Sequence, residues 1–184
     1  GKLSDREDNN EFLRIGHALG SLAEAPIFID DSAMTNVMEI RTKARRLQME
    51  HGLGLLVIDY LQLMESRTRI ENRVQEVAEI TRSLKGIARE LNIPVVALSQ
   101  LNRSVELAKP AIPRLAHLRE SGSIEQDADV VMFLYRPETE ITPTIHTKLL
   151  IAKHRNGPMG EIDLIFRGDR IKFYNAEKKR AEVE

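Results

Sequence analysis

Two apolar runs that each close on polar residues constrain this chain more than any other feature. Leu53–Gln62 reads Leu-Gly-Leu-Leu-Val-Ile-Asp-Tyr-Leu-Gln, and Ile93–Gln100 reads Ile-Pro-Val-Val-Ala-Leu-Ser-Gln. Unbroken apolar, β-branched runs suit strands covered on both faces, as in a parallel sheet. Their polar ends, Asp59 on one run and Ser99 and Gln100 on the other, then line the carboxyl edge of that sheet. Ligands of open α/β sheets bind at that edge.

The segments between and around these runs alternate in period. Ser4 and Glu7 have capping-box spacing ahead of a stripe of Phe12, Ile15, Leu19 and Leu22, which predicts a helix over 5–22. Pro26–Ile29 is expected to be a short strand. Asn36 and Glu39 resemble a second cap, and Val37, Ile40, Ala44 and Leu47 form one stripe before a Gly52 stop, so 36–51 should be helical. Val74, Val77, Ala78, Leu84, Ile87, Ala88 and Leu91 mark a long helix ending before Pro94. The polar stretch Leu101–Gly122 reads as a functional or mobile connection, followed by one helical turn at Ser123–Gln126. Strands are expected at Val130–Tyr135, Lys148–Lys153, Glu161–Phe166 and Ile171–Tyr174, with a loop at Pro137–Pro143. Asn156-Gly157 and Arg167-Gly168-Asp169 supply the hairpin turns. The order predicts an α/β fold with a mainly parallel sheet and antiparallel strands at the carboxyl-terminal edge, in one domain over 1–174, with a charged tail at 175–184.

The totals exclude several classes. At 184 residues the chain is one ordinary domain with a real core. A net charge of −1 gives no global attraction to polyanions, so any nucleic-acid contact must be local. Without cysteine there is no disulfide and no thiol catalysis, which fits a reducing compartment. No apolar stretch approaches membrane-spanning length and no secretory signal is present, so a cytoplasmic protein without membrane contact is expected. The chain opens on Gly1, straight into helix-like sequence, and a fragment is expected.

Several residues could carry chemistry. Asp59 ends its strand as the acid of a Walker B strand does, placed to hold Mg²⁺, directly or through its water, beside a nucleoside triphosphate. An isolated Asp there would simply start a turn; the second polar strand end favours the metal reading. Gln100 could touch a γ-phosphate or an attacking water, or be a buried amide satisfied by backbone, and spacing does not decide. Lys153 and Arg155 lie two apart on a strand entering a tight turn, so both cations project from one face. They are either a solvated basic strand end or a finger reaching a neighbouring subunit's phosphates. In Leu118–Asp129, Gly122 frees the backbone and Arg119 supplies charge, so this loop could hold a phosphate or start an ordinary capped helix. No Gly-x-x-x-x-Gly-Lys-Ser/Thr occurs anywhere, which leaves half of a nucleotide site.

Together these segments resemble the bacterial replicative DNA helicase family, DnaB. The likeness rests on Leu55–Met64 (Leu-Leu-Val-Ile-Asp-Tyr-Leu-Gln-Leu-Met), Val95–Ser104, Leu118–Asp129 and Ala152–Pro158 (Ala-Lys-His-Arg-Asn-Gly-Pro), in order over roughly the whole chain. The resemblance implies a RecA-like ATPase domain working as a homohexameric ring that unwinds DNA by 5′ to 3′ translocation on single-stranded DNA, using ATP and Mg²⁺. It casts Asp59 as the Walker B acid at Mg²⁺ and Gln100 as the link between γ-phosphate and the DNA loops. Lys153 and Arg155 become the pair reaching the adjacent subunit's ATP, with Arg155 as arginine finger. Arg119, Glu120 and Gly122 match the loop on the DNA backbone.

By the same resemblance, the phosphate loop, the catalytic glutamate and a primase-interacting domain would all lie before residue 1. The sheet should therefore lack central material, and primase and loader contacts should lie mostly outside this chain. Ala116-His117 and His154 depart from the family's more usual Ser-Asp and Gln. The alternatives are a related plasmid- or recombinase-type ATPase and a non-catalytic assembly module.

Overall fold

The computed structural model describes residues 4–32, 35–66, 72–107, 111–118, 122–137 and 144–176, which form two compact units, Gly1–Ala33 and Met34–Glu184. In the first unit, α1 (Ser4–Glu24) matches the expected helix, and its stripe of Phe12, Ile15, Leu19 and Leu22 is exposed. Pro26–Ile29 is not a strand. An extended segment becomes a strand only when a neighbour takes its backbone bonds, and it has no ladder partner among the described residues.

In the second unit, Thr35–Asn36 (β1) leads into α2 (Val37–His51). The start is fixed by Asn36, whose side chain accepts from the amides of Met38 at 3.0 Å and Glu39 at 3.1 Å. Its amide group returns a bond to Glu39 at 2.8 Å. Gly52 stops the helix with a φ of 72°, a conformation that side chains resist.

The first apolar run forms β2 (Leu56–Ile58), a 3₁₀ turn at Leu61–Leu63 and the short β3 (Met64–Glu65). The long α3 (Arg73–Leu91) is capped by Asn72 and ended by Asn92 in the left-handed region, at φ 52°. It leads to β4 (Val95–Ala97). β2 and β4 pair in parallel, Val57 opposite Val96, and β1 pairs in parallel with β3. The buried face of α3 (Val77, Ile80, Leu84, Ile87) packs Ile80 and Ile87, each 1% exposed, against Ile40, Ile58, Leu61 and Met64.

Beyond the polar connection, which holds α4 (Ser104–Leu107) and a bridge between Leu101 and Leu118, α5 (Gly122–Asp127) packs on α3. Four antiparallel strands follow in the order β5 (Val130–Tyr135), β6 (Thr144–His154), β7 (Gly160–Arg167) and β8 (Lys172–Asn175). The second hairpin turn is closed by a two-pronged Arg167–Asp169 pair at 3.0 and 2.9 Å. Val131 and Phe133 bury against Leu118, with Ile124, Leu150 and Ala152 around them.

The expected class therefore stands: an α/β chain with parallel ladders beside helices and an antiparallel sheet at the carboxyl-terminal end. Burial on both faces does not occur. Val57 and Val96, opposite one another, are 54% and 41% exposed, and Met132 and Leu134 on β5 are exposed too. Among the described residues of this unit, α3 and α5 cover the other face, meeting Ile58 and Phe133 through the two buried clusters. Residues 138–143, expected as a loop, and 177–184, most of the expected tail, lie outside the described residues.

Candidate nucleotide site

The parallel ladder of β2 and β4 decides which side chains share an edge. Ile58 faces Ala97 in register, and the Leu98 amide donates to the Ile58 carbonyl at 2.9 Å. One step on, the Leu61 amide donates to the Leu98 carbonyl, also at 2.9 Å. Asp59, Ser99 and Gln100 consequently leave the sheet at the same carboxyl end. Asp59 and Gln100 are both exposed there, so Gln100 is not the buried amide that sequence left open. The Asp59–Tyr60 peptide is cis.

Sequence reasoning missed the residue that ties this edge together. Gln62 donates through Nε2 to Ser99 Oγ at 3.1 Å and offers Oε1 to the Gln100 amide at 3.4 Å. Its own carbonyl accepts from Arg73 at 3.0 Å. Arg73 pairs with Glu76 at 2.6 Å, and Glu76 also accepts from the Ser66 amide at 3.0 Å. Burial pushes the Glu76 carboxyl up, but Ser66 and Arg73 outweigh it and hold the group below its ordinary range. The only forewarning was a polar residue inside an apolar run.

The basic corner is built differently. The β5–β6 register shifts between Val131 and Met132, so Ala152 is an extra residue on β6. A bulge turns two successive side chains toward one side: Ala152 packs on the Val131–Phe133 cluster, and Lys153 donates to the Glu125 carbonyl of α5. Arg155 donates from Nη2 to the Gln126 carbonyl at 3.1 Å and lies 3.4 Å from Asp129 through Nη1. Both cations thus meet the C-terminal carbonyls of one helix, where positive charge is favoured. They project together, as expected, and each is engaged within its own protomer.

Between them His154 folds over the turn. Its Nδ1 lies 3.2 Å from the Pro158 carbonyl, and a Cβ on Gly157 would come within 2.2 Å of its ring, so a side chain at 157 would displace the imidazole from this position.

Of the expected DNA loop, Gly122 begins α5 with open space around it, while Arg119 and Glu120 lie outside the described residues. Among the described residues no three His, Cys, Asp or Glu side chains gather as a metal cage. A single exposed carboxylate at Asp59 fits Mg²⁺ instead, because that ion takes one or two carboxylates and otherwise keeps waters and substrate phosphates.

Residues 1–175 match the family model described as the DnaB-like helicase C terminal domain. The chain belongs to that family. It is 51% identical over 188 residues to the replicative DNA helicase DnaB of Geobacillus stearothermophilus, covering 100% of this chain and 40% of the relative. To DnaB of Rickettsia typhi it is 46% identical over 199 residues, 97% of this chain and 39% of the relative.

Among solved structures, one ATPase domain superposes with a TM-score of 0.83 at 39% identity, over 90% of this chain and 60% of that one. A DnaB-like replicative helicase described with its interactions with primase gives the same score and identity over 90% of this chain and 42% of that one. The chain therefore spans about two fifths of the length of the curated relatives it matches. Two fifths of the solved ATPase domain likewise has no counterpart here. Among the described residues no helix is long and apolar enough to cross a membrane.

Proposed function

We propose that this chain is the C-terminal part of an ATP-dependent replicative DNA helicase, a single partial ATPase domain over 1–174. The observation that carries the reading is the in-register β2–β4 ladder, which sends Asp59 and Gln100 off the same edge with exposed side chains. Asp59 would hold Mg²⁺, directly or through water, and the ion, when bound with ATP, neutralises developing phosphate charge. Gln100 sits where its carboxamide meets a γ-phosphate or orients water, with Gln62 bracing its backbone from behind. Lys153 and Arg155 supply charge from the neighbouring subunit, Arg155 as the finger.

The ring would be a homohexamer moving 5′ to 3′ on single-stranded DNA through contacts at Arg119, Glu120 and Gly122. Such contacts, mainly to phosphate, are sequence-independent and weaken with salt. Primase and loader would bind chiefly outside this chain. No Gly-x-x-x-x-Gly-Lys-Ser/Thr is present, so the 184-residue chain alone is expected to hydrolyse no ATP.

The test is Asp59→Asn in the full-length protein. Losing several kcal/mol of charge stabilisation should cut magnesium-dependent hydrolysis by about 100-fold or more. Unchanged turnover would favour a non-catalytic assembly module. Unwinding assays on forked DNA separate a helicase from a recombinase- or plasmid-type ATPase.

A further inference from the structure

The corner that holds Arg155 contains an acid, Asp129, that the nucleotide reading does not use. Asp129 stands between α5 and β5, and Arg155 directly follows β6, so the ladder leaves them opposite one another. The Arg155 amide donates to the Asp129 carbonyl at 2.8 Å, and Nη1 of the same residue lies 3.4 Å from Asp129 Oδ1. Asp129 therefore grips Arg155 at both its backbone and its head. Behind it, Lys85 of α3 bonds the other carboxylate oxygen. One turn earlier on α3, Thr81 donates to Asp127 at 2.6 Å, anchoring the end of α5.

We propose that Asp129 is a positioning residue for Arg155, orienting the guanidinium that meets the neighbouring subunit's triphosphate without touching substrate itself. The inference rests on the proposed reading of Arg155. Its physical basis is pre-organisation. A guanidinium carries five N–H donors in a rigid plane, and the contacts to Gln126 and Asp129 occupy only part of that fork. The Arg155 side chain remains 45% exposed, so donors are left for an incoming phosphate.

A fork already held in one plane loses less freedom on binding than a free side chain. The Asp129–Arg155 pair by itself adds little stability, because the Asp129 carboxylate is half exposed and an exposed ion pair contributes little. The Lys85 hydrogen bond, then the charges of Lys85, Arg155 and Arg89, overcome desolvation and keep Asp129 ionised below the usual carboxylate range.

The experiment uses the full-length helicase with its assembly state and melting temperature checked. Asp129→Asn keeps shape and backbone bonds but removes the charge; misorientation of a catalytic group predicts roughly a 10-fold loss of kcat with little change in KM for ATP. Asp129→Glu, which keeps the charge, should recover most of the rate. Because Asp129 acts through Arg155, Asp129→Asn should cost nothing further in an Arg155→Lys background.

An equal further loss in that background, or wild-type kcat in Asp129→Asn while Arg155→Ala collapses, overturns the inference and leaves the nucleotide reading standing. Full hydrolysis by Arg155→Ala removes the nucleotide reading itself, and this inference with it.

Discussion

The acidic edge and the basic corner reach their positions by opposite means. Asp59 and Gln100 are placed by backbone: a parallel register and two amide bonds at 2.9 Å set where they emerge, and their side chains stay exposed. Lys153 and Arg155 are placed by side-chain bonds to α5 and Asp129, after a bulge has re-aimed the strand. The side chains of the first half are exposed, while those of the second are held by bonds within their own protomer. The contrast suits a site shared between subunits. On the proposed reading, the half that would bind nucleotide is the open one, and the half that would come from the neighbour is already oriented.

Substitutions should expose this difference. The largest effect is expected from Arg155→Ala in the full-length protein, since an arginine finger contributes roughly 10³- to 10⁵-fold to kcat; steady-state hydrolysis measures it, and a small loss would break the comparison on the basic side. Next, Ile87→Ala should destabilise the fold by about 2–5 kcal/mol in denaturant titrations. Ile87 is 1% exposed in the core cluster that supports β2, and α3 also carries α5, so both halves should weaken together.

Gln62→Ala should act on the acidic edge alone. Removing the bonds to Ser99 and Gln100 predicts about a 10-fold fall in kcat, with KM and thermal stability little changed.

The smallest effect is a pH dependence at the same edge. Glu76 is held below its ordinary range, so its contribution is complete above the usual glutamate pKa and is lost as pH falls through the lowered native value. Glu76→Gln should flatten that part of the acid limb in stability measured against pH, and an unchanged limb would remove Glu76 from the account.

Much of this was legible in the chain. Asn36, Glu39 and Gly52 bound α2 because capping chemistry is local, and β5 appears at its expected residues because an unbroken apolar run marks a strand. The shared edge of Asp59 and Gln100 was legible because strand direction and polarity together determine it. The Ala152 bulge was not, since an extra residue in a ladder leaves no pattern in composition or period. Nor was the role of Gln62, which depends on a contact with Ser99 from a distant segment. Pro26–Ile29 and the two-sided burial of β2 and β4 failed for another reason. Their apolar pattern is real, but a strand or a covered face needs a partner, and none is present among the described residues.

The central claim, that an acid from one protomer and a guanidinium from the next act on one triphosphate, is tested most directly by mixing two dead proteins. Full-length Asp59→Asn and Arg155→Ala subunits are combined in equal amounts, allowed to re-form rings, and assayed for ATP hydrolysis. Across head-to-tail interfaces, about one in four should pair an intact acid with an intact arginine, so activity should return in the mixture. If each protomer instead completes its own site, every site in the mixture carries a defect. Hydrolysis that stays at the level of the separate variants at every mixing ratio would contradict the account.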